Sequence, residues 1–226
     1  MMDRGDFLYN DFKSRLEYEP TPCQDRLFRE TASFITGDDA DIMVVNGYAG
    51  TGKTTAVSAV IETMTSLKVH CVLLAPTGRS AKVLSSYSHR RAYTIHKHIY
   101  RQKAGGVFGD FQLDFNKARD TFFIVDESSL ISTGGEPGGS LFGSGDLLDD
   151  LVTFVRGGQD NKLVLIGDKG QLPPIGLDRS PALDVEYMSR YGTVCSASLE
   201  TVVRQAAFSG ILTNATIIRK LTESGI

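Results

Sequence analysis

The segment Gly47-Tyr48-Ala49-Gly50-Thr51-Gly52-Lys53-Thr54 combines what the binding of phosphate chains requires. Glycines let backbone N–H groups turn inward onto anionic oxygens. A lysine beside them supplies a point charge for the β- and γ-phosphates, and a threonine hydroxyl can coordinate magnesium. A spacing of this kind carries weight only between a strand and a helix, and both flanks are present. Before it lies the apolar run 42–45, and after it the helix-capable Thr55-Ala56-Val57-Ser58-Ala59-Val60-Ile61. The start of that helix adds its partial positive charge. Residues 47–55, Thr55 included, are therefore expected to hold ATP, with Lys53 on the phosphates and Thr54 on Mg2+. The competing reading is a glycine-rich turn with a surface lysine.

Phe122-Phe123-Ile124-Val125-Asp126-Glu127 supplies a second half. An apolar strand ending in two carboxylates places Asp126 where it can hold magnesium through its waters and Glu127 where it can take a proton from an attacking water. The pair favours hydrolysis over transfer to a second substrate; a pair of helix-capping acids is the alternative. Gln171 follows another apolar run, where a neutral amide can touch both the γ-phosphate and that water; otherwise it is a turn residue before Pro173-Pro174. Gln24 has the donor and acceptor that the N6/N7 edge of adenine needs, although an exposed helix residue would look the same.

These residues need a frame. Five apolar runs, 42–45, 70–74, 122–125, 163–166 and 193–196, are separated mostly by helix-capable stretches, the pattern of buried parallel strands with crossover helices. An α/β fold follows, a mostly parallel sheet flanked by helices on both faces. The first four runs end at Asn46-Gly47, Pro76-Thr77-Gly78, Asp126-Glu127 and Gly167-Asp168-Lys169-Gly170-Gln171. Ligands of open parallel sheets bind outside the carboxyl ends of the strands, so four polar motifs point at one crevice. A short hairpin insertion is expected within 104–118, turning about Gly109-Asp110. Residues 133–146, with six glycines, read as a mobile loop.

The 226 residues are 41% hydrophobic and 23% charged, enough for one substantial core and a single domain spanning 1–226. The apolar run 69–75 is too short to span a bilayer, and Asp3 and Asp6 stand where a signal peptide would be basic and apolar. A cytoplasmic protein without membrane contact is expected. Three widely spaced cysteines fit reduced thiols better than disulfides or a zinc site. The net charge of −3 argues against a surface that binds nucleic acid everywhere. Between Arg79 and Lys103, however, Lys82, Arg90, Arg91, Lys97 and Arg101 form a basic stripe with no acidic residue, either a solvated face or a track for phosphates.

Taken together, the motifs resemble superfamily 1 DNA helicases of the RecD-like and Dda-like branch. The matching segments are Thr21-Pro22-Cys23-Gln24, GYAGTGKTT at 47–55, APTGRSAKVL at 75–84, Thr94-Ile95-His96, VDESSLI at 125–131, GDKGQLPPIG at 167–176 and LETVVRQ at 199–205. The resemblance implies a RecA-like P-loop NTPase. It also implies that Thr77, Arg79, Thr94 and His96 hold the backbone of single-stranded DNA, and that Arg204 reaches the γ-phosphate in the manner of an arginine finger. Thr77 as a helix cap, His96 as a packed ring and Arg204 as a surface residue remain the structural alternatives. Nothing after Arg204 resembles motifs V and VI, so the chain is expected to be the first motor domain alone, its second RecA-like domain missing. Such a fragment is not expected to unwind DNA. The rival function is a stand-alone P-loop ATPase that switches a protein partner.

Overall fold

The computed structural model describes residues 3–103, 111–134, 142–174 and 176–201. Two helices come first, α1 (Arg4–Ser14) and α2 (Pro22–Thr36). The start of α2 is specified locally. The Thr21 hydroxyl accepts from the Gln24 N–H at 3.3 Å, the Gln24 side chain accepts from the Thr21 N–H at 2.9 Å, and Pro22 takes the first helical position.

The chain then alternates: β1 (Ile42–Gly47), α3 (Lys53–Ser66), β2 (Cys71–Ala75), α4 (Gly78–Ser88) and β3 (Ala92–Thr94). A short helix, α5 (Ile95–Ile99), leads into the hairpin β4 (Tyr100–Gln102) and β5 (Phe111–Leu113). There follow β6 (Phe122–Val125), α6 (Leu147–Arg156), β7 (Lys162–Gly167), α7 (Val185–Met188) and β8 (Val194–Leu199). Six strands form one sheet in the order β3-β2-β6-β7-β1-β8, and every neighbouring pair is parallel.

Alternation along the strands feeds two cores. Met43 and Val45 of β1, Leu73 of β2, Ile124 of β6 and Ile166 of β7 pack beneath α1 to α4, against Phe12, Phe28, Ile61 and Leu84. Ile42, Val44, Leu74, Phe123, Val125 and Leu165 face the other way, onto Ile95 and Ile99 of α5 and Leu148, Leu151 and Val155 of α6. Each such side chain stabilises the fold by about 1.5–3 kcal/mol on burial. Helices therefore cover both faces, as expected.

All five expected strands are present, several starting or ending one to three residues away. The sheet has one more, β3, which pairs with β2 at its edge. The hairpin also differs from the expected one: its first arm is Tyr100–Gln102, paired with Phe111–Leu113, so it opens before the segment assigned to it. The expected turn at Gly109-Asp110 and half of the glycine-rich loop, 135–141, lie outside the described residues. Cys23, Cys71 and Cys195 are free thiols. Among the described residues no helix is long and apolar enough to cross a membrane.

Candidate nucleotide site

Strand register aligns the carboxyl ends of four strands. Asn46 pairs with both Gly167 and Ser198, Val125 with both Leu74 and Leu165. The loops that follow β1, β2, β6 and β7 thus leave the sheet at one edge.

The glycine loop has a defined shape. Gly50 and Gly52 have φ of 80° and 75°, where a side chain would strain the backbone, and Gly52 caps α3 so that Lys53 begins the helix. Thr51 is buried, its hydroxyl donating to the Tyr48 carbonyl at 2.7 Å, while the Tyr48 N–H donates to the Leu199 carbonyl of β8 at 3.3 Å. Ala49, Thr54 and Thr55 are exposed. The half-buried Lys53 lies over Gly47, where a Cβ would come within 3.0 Å of Lys53 Cδ. Gln24 is fully buried, and its Nε2 donates to the Gly52 carbonyl at 3.4 Å. Both ends of that amide are therefore engaged, one in the cap of α2 and one in the phosphate loop. Recognition of adenine by Gln24 would require it to exchange these bonds.

The end of β6 is equally constrained. Asp126 is 9% exposed, accepting from the Tyr87 hydroxyl at 2.8 Å through Oδ2 and from the Glu127 N–H at 2.9 Å through Oδ1. Burial, with the negative charges of Asp126 and Glu127, pushes the Tyr87 phenol well above its ordinary value, so it remains a donor. Glu127 sits at φ 55°, ψ 36°, a left-handed conformation uncommon for a residue with a Cβ. A short 3-10 turn, Ser128–Leu130, follows, and the buried Ser129 donates its hydroxyl to Gln171 Oε1 at 2.9 Å. That bond joins the loop after β6 to the loop after β7. Close approach requires Gly167 beneath it, since a Cβ there would come within 3.1 Å of the Ser129 nitrogen.

Asp168 ties the loop after β7 to the glycine loop. It is buried, accepting from the Ala49 N–H at 3.2 Å through Oδ2 and from the Gly170 N–H at 2.7 Å through Oδ1. Neither Asp168, Tyr87 nor Ser129 was assigned a role from sequence. Asp168 and Ser129 lie inside the motifs quoted above, but no local spacing signals their partners.

A magnesium ion fits this donor set. Among the described residues no three His, Cys, Asp or Glu gather as a cage. A hard cation here would rest on the Thr54 hydroxyl, on Asp126 through water, and on phosphate oxygens, the usual arrangement at nucleotide sites.

The residues expected to touch a nucleic acid are placed more unevenly. Ala75 pairs with Thr94, so the segments after β2 and β3 adjoin at the same sheet edge. Thr77 caps α4, accepting from the Ser80 N–H at 3.1 Å and sharing a short hydrogen bond with the Ser80 hydroxyl. Arg79 is exposed. Thr94 caps α5, accepting from the Lys97 N–H at 3.3 Å. The His96 ring packs against Tyr100 at 5.7 Å and Phe142 at 5.1 Å, and burial lowers its pKa. Of the basic stripe, Arg90 donates to the Cys71 carbonyl at 3.2 Å and Arg101 pairs with Asp114 at 3.2 Å, whereas Lys82, Lys97 and Lys103 are exposed. Arg204 lies outside the described residues.

Residues 24–222 match the family model described as the AAA domain. The chain belongs to the AAA domain family. This AAA domain is 31% identical over 176 residues to an uncharacterized protein of Methanocaldococcus jannaschii, a match that spans 71% of the chain and 14% of that protein. It is 31% identical over 134 residues to the ATP-dependent RecD2 DNA helicase of Deinococcus radiodurans, spanning 59% of the chain and 16% of the helicase. The crystal structure of Pif1 helicase from Candida albicans shares its fold at a TM-score of 0.54 and 18% identity, over 85% of the chain and 42% of Pif1. The AAA domain thus has a RecA-like P-loop fold, a mostly parallel sheet with helices on both faces. It spans a small part of the length of its curated relatives, 14% and 16% for these two.

Proposed function

We propose that this AAA domain binds and hydrolyses ATP to drive a DNA helicase, and that single-stranded DNA is its polymeric ligand. The observation that carries the reading is the convergence of the glycine loop, the Asp126-Glu127 strand end and Gln171 at one sheet edge, joined by the Ser129–Gln171 and Asp168–Ala49 bonds. Residues 47–55 hold the phosphates, with Lys53 on the terminal ones. Thr54 and Asp126 would hold Mg2+, which when bound supplies charge neutralisation for the phosphates. Glu127 takes the proton of the attacking water, and Gln171, its Oε1 fixed by Ser129, offers the other end of its amide to water and γ-phosphate. Gln24 reads the base, and Arg204 is assigned to charge stabilisation at the γ-phosphate.

Strand contact is assigned to the edge carrying Thr77, Arg79, Thr94 and His96, with Lys82 and Lys97 adding charge. Such contacts are phosphate-directed, so binding is non-specific and steeply salt dependent. The free thiols fit the reducing cytoplasm. Unwinding needs two gripping surfaces that close and open with the nucleotide, and one RecA-like fold supplies one. The 226-residue polypeptide on its own is therefore a slow ATPase without strand displacement.

Phosphate release by the purified chain, measured with and without oligothymidylate, tests this. Hydrolysis stimulated by the oligonucleotide supports the helicase reading. Intact hydrolysis that no single strand alters would favour the nucleotide switch with a protein partner, and robust unwinding by the monomer would overturn the half-motor reading.

A further inference from the structure

Helix α4 joins two parts of the site that no motif connects. At its N-terminus Thr77 caps the helix beside the exposed Arg79. One residue before its last, Tyr87 passes its hydroxyl to Asp126 Oδ2 at 2.8 Å. The backbone of the same residue is anchored separately, the Ser58 hydroxyl of α3 donating to the Tyr87 carbonyl at 2.8 Å. Tyr87 therefore bridges the helix that follows the phosphate loop and the strand that ends in Asp126. From Thr77 to Tyr87 the helix rises about 15 Å at 1.5 Å per residue, and its buried Ala81, Leu84 and Ser88 fix it along one side.

A carboxylate that reaches a cation through water needs a fixed rotamer, and its remaining oxygen contacts decide that rotamer. The Glu127 N–H holds Oδ1 from within the same strand end. Tyr87 is the partner that reaches Oδ2 from another element. We propose that Tyr87 is a positioning residue for the metal-holding carboxylate, and that α4 transmits strand contact at Thr77 and Arg79 to Asp126 through it. The proposal rests on the nucleotide and strand roles assigned above. A strand that shifts the first turn of α4 shifts the Tyr87 hydroxyl with it, because the packed helix moves as a rod. ATP hydrolysis thereby responds to the polymer without any residue touching both.

The test uses the 226-residue chain with Mn2+ in place of Mg2+, its free concentration read by electron paramagnetic resonance in the ADP complex. Tyr87→Phe, which removes only the hydroxyl, is expected to weaken Mn2+ binding about 10-fold or more while leaving metal-free affinity for a fluorescent ADP unchanged. Asp126→Asn sets the reference, and adding Tyr87→Phe to it should weaken Mn2+ no further. Ser58→Ala, which frees the Tyr87 backbone, should weaken Mn2+ in the same direction and serves if Tyr87→Phe does not fold. Oligothymidylate should tighten Mn2+ binding in the unmodified chain and not in Tyr87→Phe. If Asp126→Asn leaves Mn2+ affinity intact, the metal role of Asp126 has failed and the functional reading with it. If Asp126→Asn weakens Mn2+ but Tyr87→Phe and Ser58→Ala do not, the positioning role is overturned. If bound oligothymidylate, confirmed by anisotropy, changes nothing in the unmodified chain, the transmission through α4 is overturned.

Discussion

The Ala49 N–H and the Asp168 carboxylate meet at 3.2 Å, tying the phosphate loop to the loop that follows β7. The other Asp168 oxygen holds the Gly170 N–H at 2.7 Å, so one buried side chain satisfies two loops. Replacement by alanine leaves both N–H groups without that acceptor, at a cost of about 1–3 kcal/mol. Asp168→Ala should therefore melt about 2–12 °C lower without nucleotide. Saturating ATP should restore part of the loss, because phosphate oxygens can accept from the same loop. Thermal melting with and without ATP measures both, and an unchanged apo midpoint would refute the brace.

Lys53 and Glu127 separate binding from chemistry. Lys53→Ala should weaken ATP binding, since a positive charge beside the phosphates is lost. Glu127→Gln keeps shape and loses basicity, so binding should persist while hydrolysis falls about 10²- to 10⁴-fold. Nucleotide titration and phosphate release distinguish the two, and equal loss of binding in both would remove Glu127 from the role of base.

The backbone at Glu127 makes a separate forecast. Its φ of 55° costs a residue with a Cβ about 1–2 kcal/mol, and glycine is free of that cost but loses more entropy on folding. Glu127→Gly should raise the melting midpoint by about 1–3 °C while abolishing hydrolysis. A lower midpoint would mean that the Glu127 side chain stabilises the fold more than its backbone strains it.

At Gly167 a Cβ would stand 2.7 Å from Leu183 Cδ1 and 3.1 Å from the Ser129 nitrogen. The leucine can rotate; the backbone nitrogen cannot. Gly167→Ala should cost about 1–3 kcal/mol and displace Ser129 from Gln171, lowering kcat more than it raises KM. Steady-state kinetics on the folded variant would count against this coupling if kcat were preserved.

Burial lowers the pKa of both His96 and His98, the latter ring lying 5.7 Å from Phe154 and 6.0 Å from Phe123. In the unfolded chain both take up protons near pH 6.5. As pH falls below that value the unfolded state gains protons that the folded state refuses, so stability declines until the depressed folded values are passed. Denaturant midpoints should thus drop between pH 7.5 and 5.5, and His98→Phe should flatten the slope. An identical pH dependence in that variant would exclude His98 as a source.

The central strands were legible because parallel strands buried on both faces must be apolar throughout, as Phe122–Val125 is. β3 was not, because Ala92–Thr94 is a half-buried edge of three residues following two arginines. Tyr100–Gln102 ends in exposed polar residues and carries no strand signal, whereas its partner Phe111–Leu113 alternates. The glycine loop after β1 and the Asp126-Glu127 pair after β6 were legible as strand ends because their placement depends on local spacing. Asp168 and Tyr87 act across the sheet, on Ala49 and Asp126, and separation along the chain hides such pairs. The packing of His96 on Phe142 was hidden for the same reason, its partner belonging to a loop read only for its glycines.

The position of β1 between β7 and β8 has a consequence for biosynthesis. Ile42 finds its neighbours at Leu163 and Val194, far along the chain, so closing these pairs demands long loops before any pairing rewards them. The Tyr48 N–H is anchored on the Leu199 carbonyl, at the end of β8. Until residues 162–199 have been made, β1 has neither neighbouring strand, and the Gly47–Thr54 segment lacks this anchor. The shape of the glycine loop is therefore set only once β7 and β8 have been made and paired with β1.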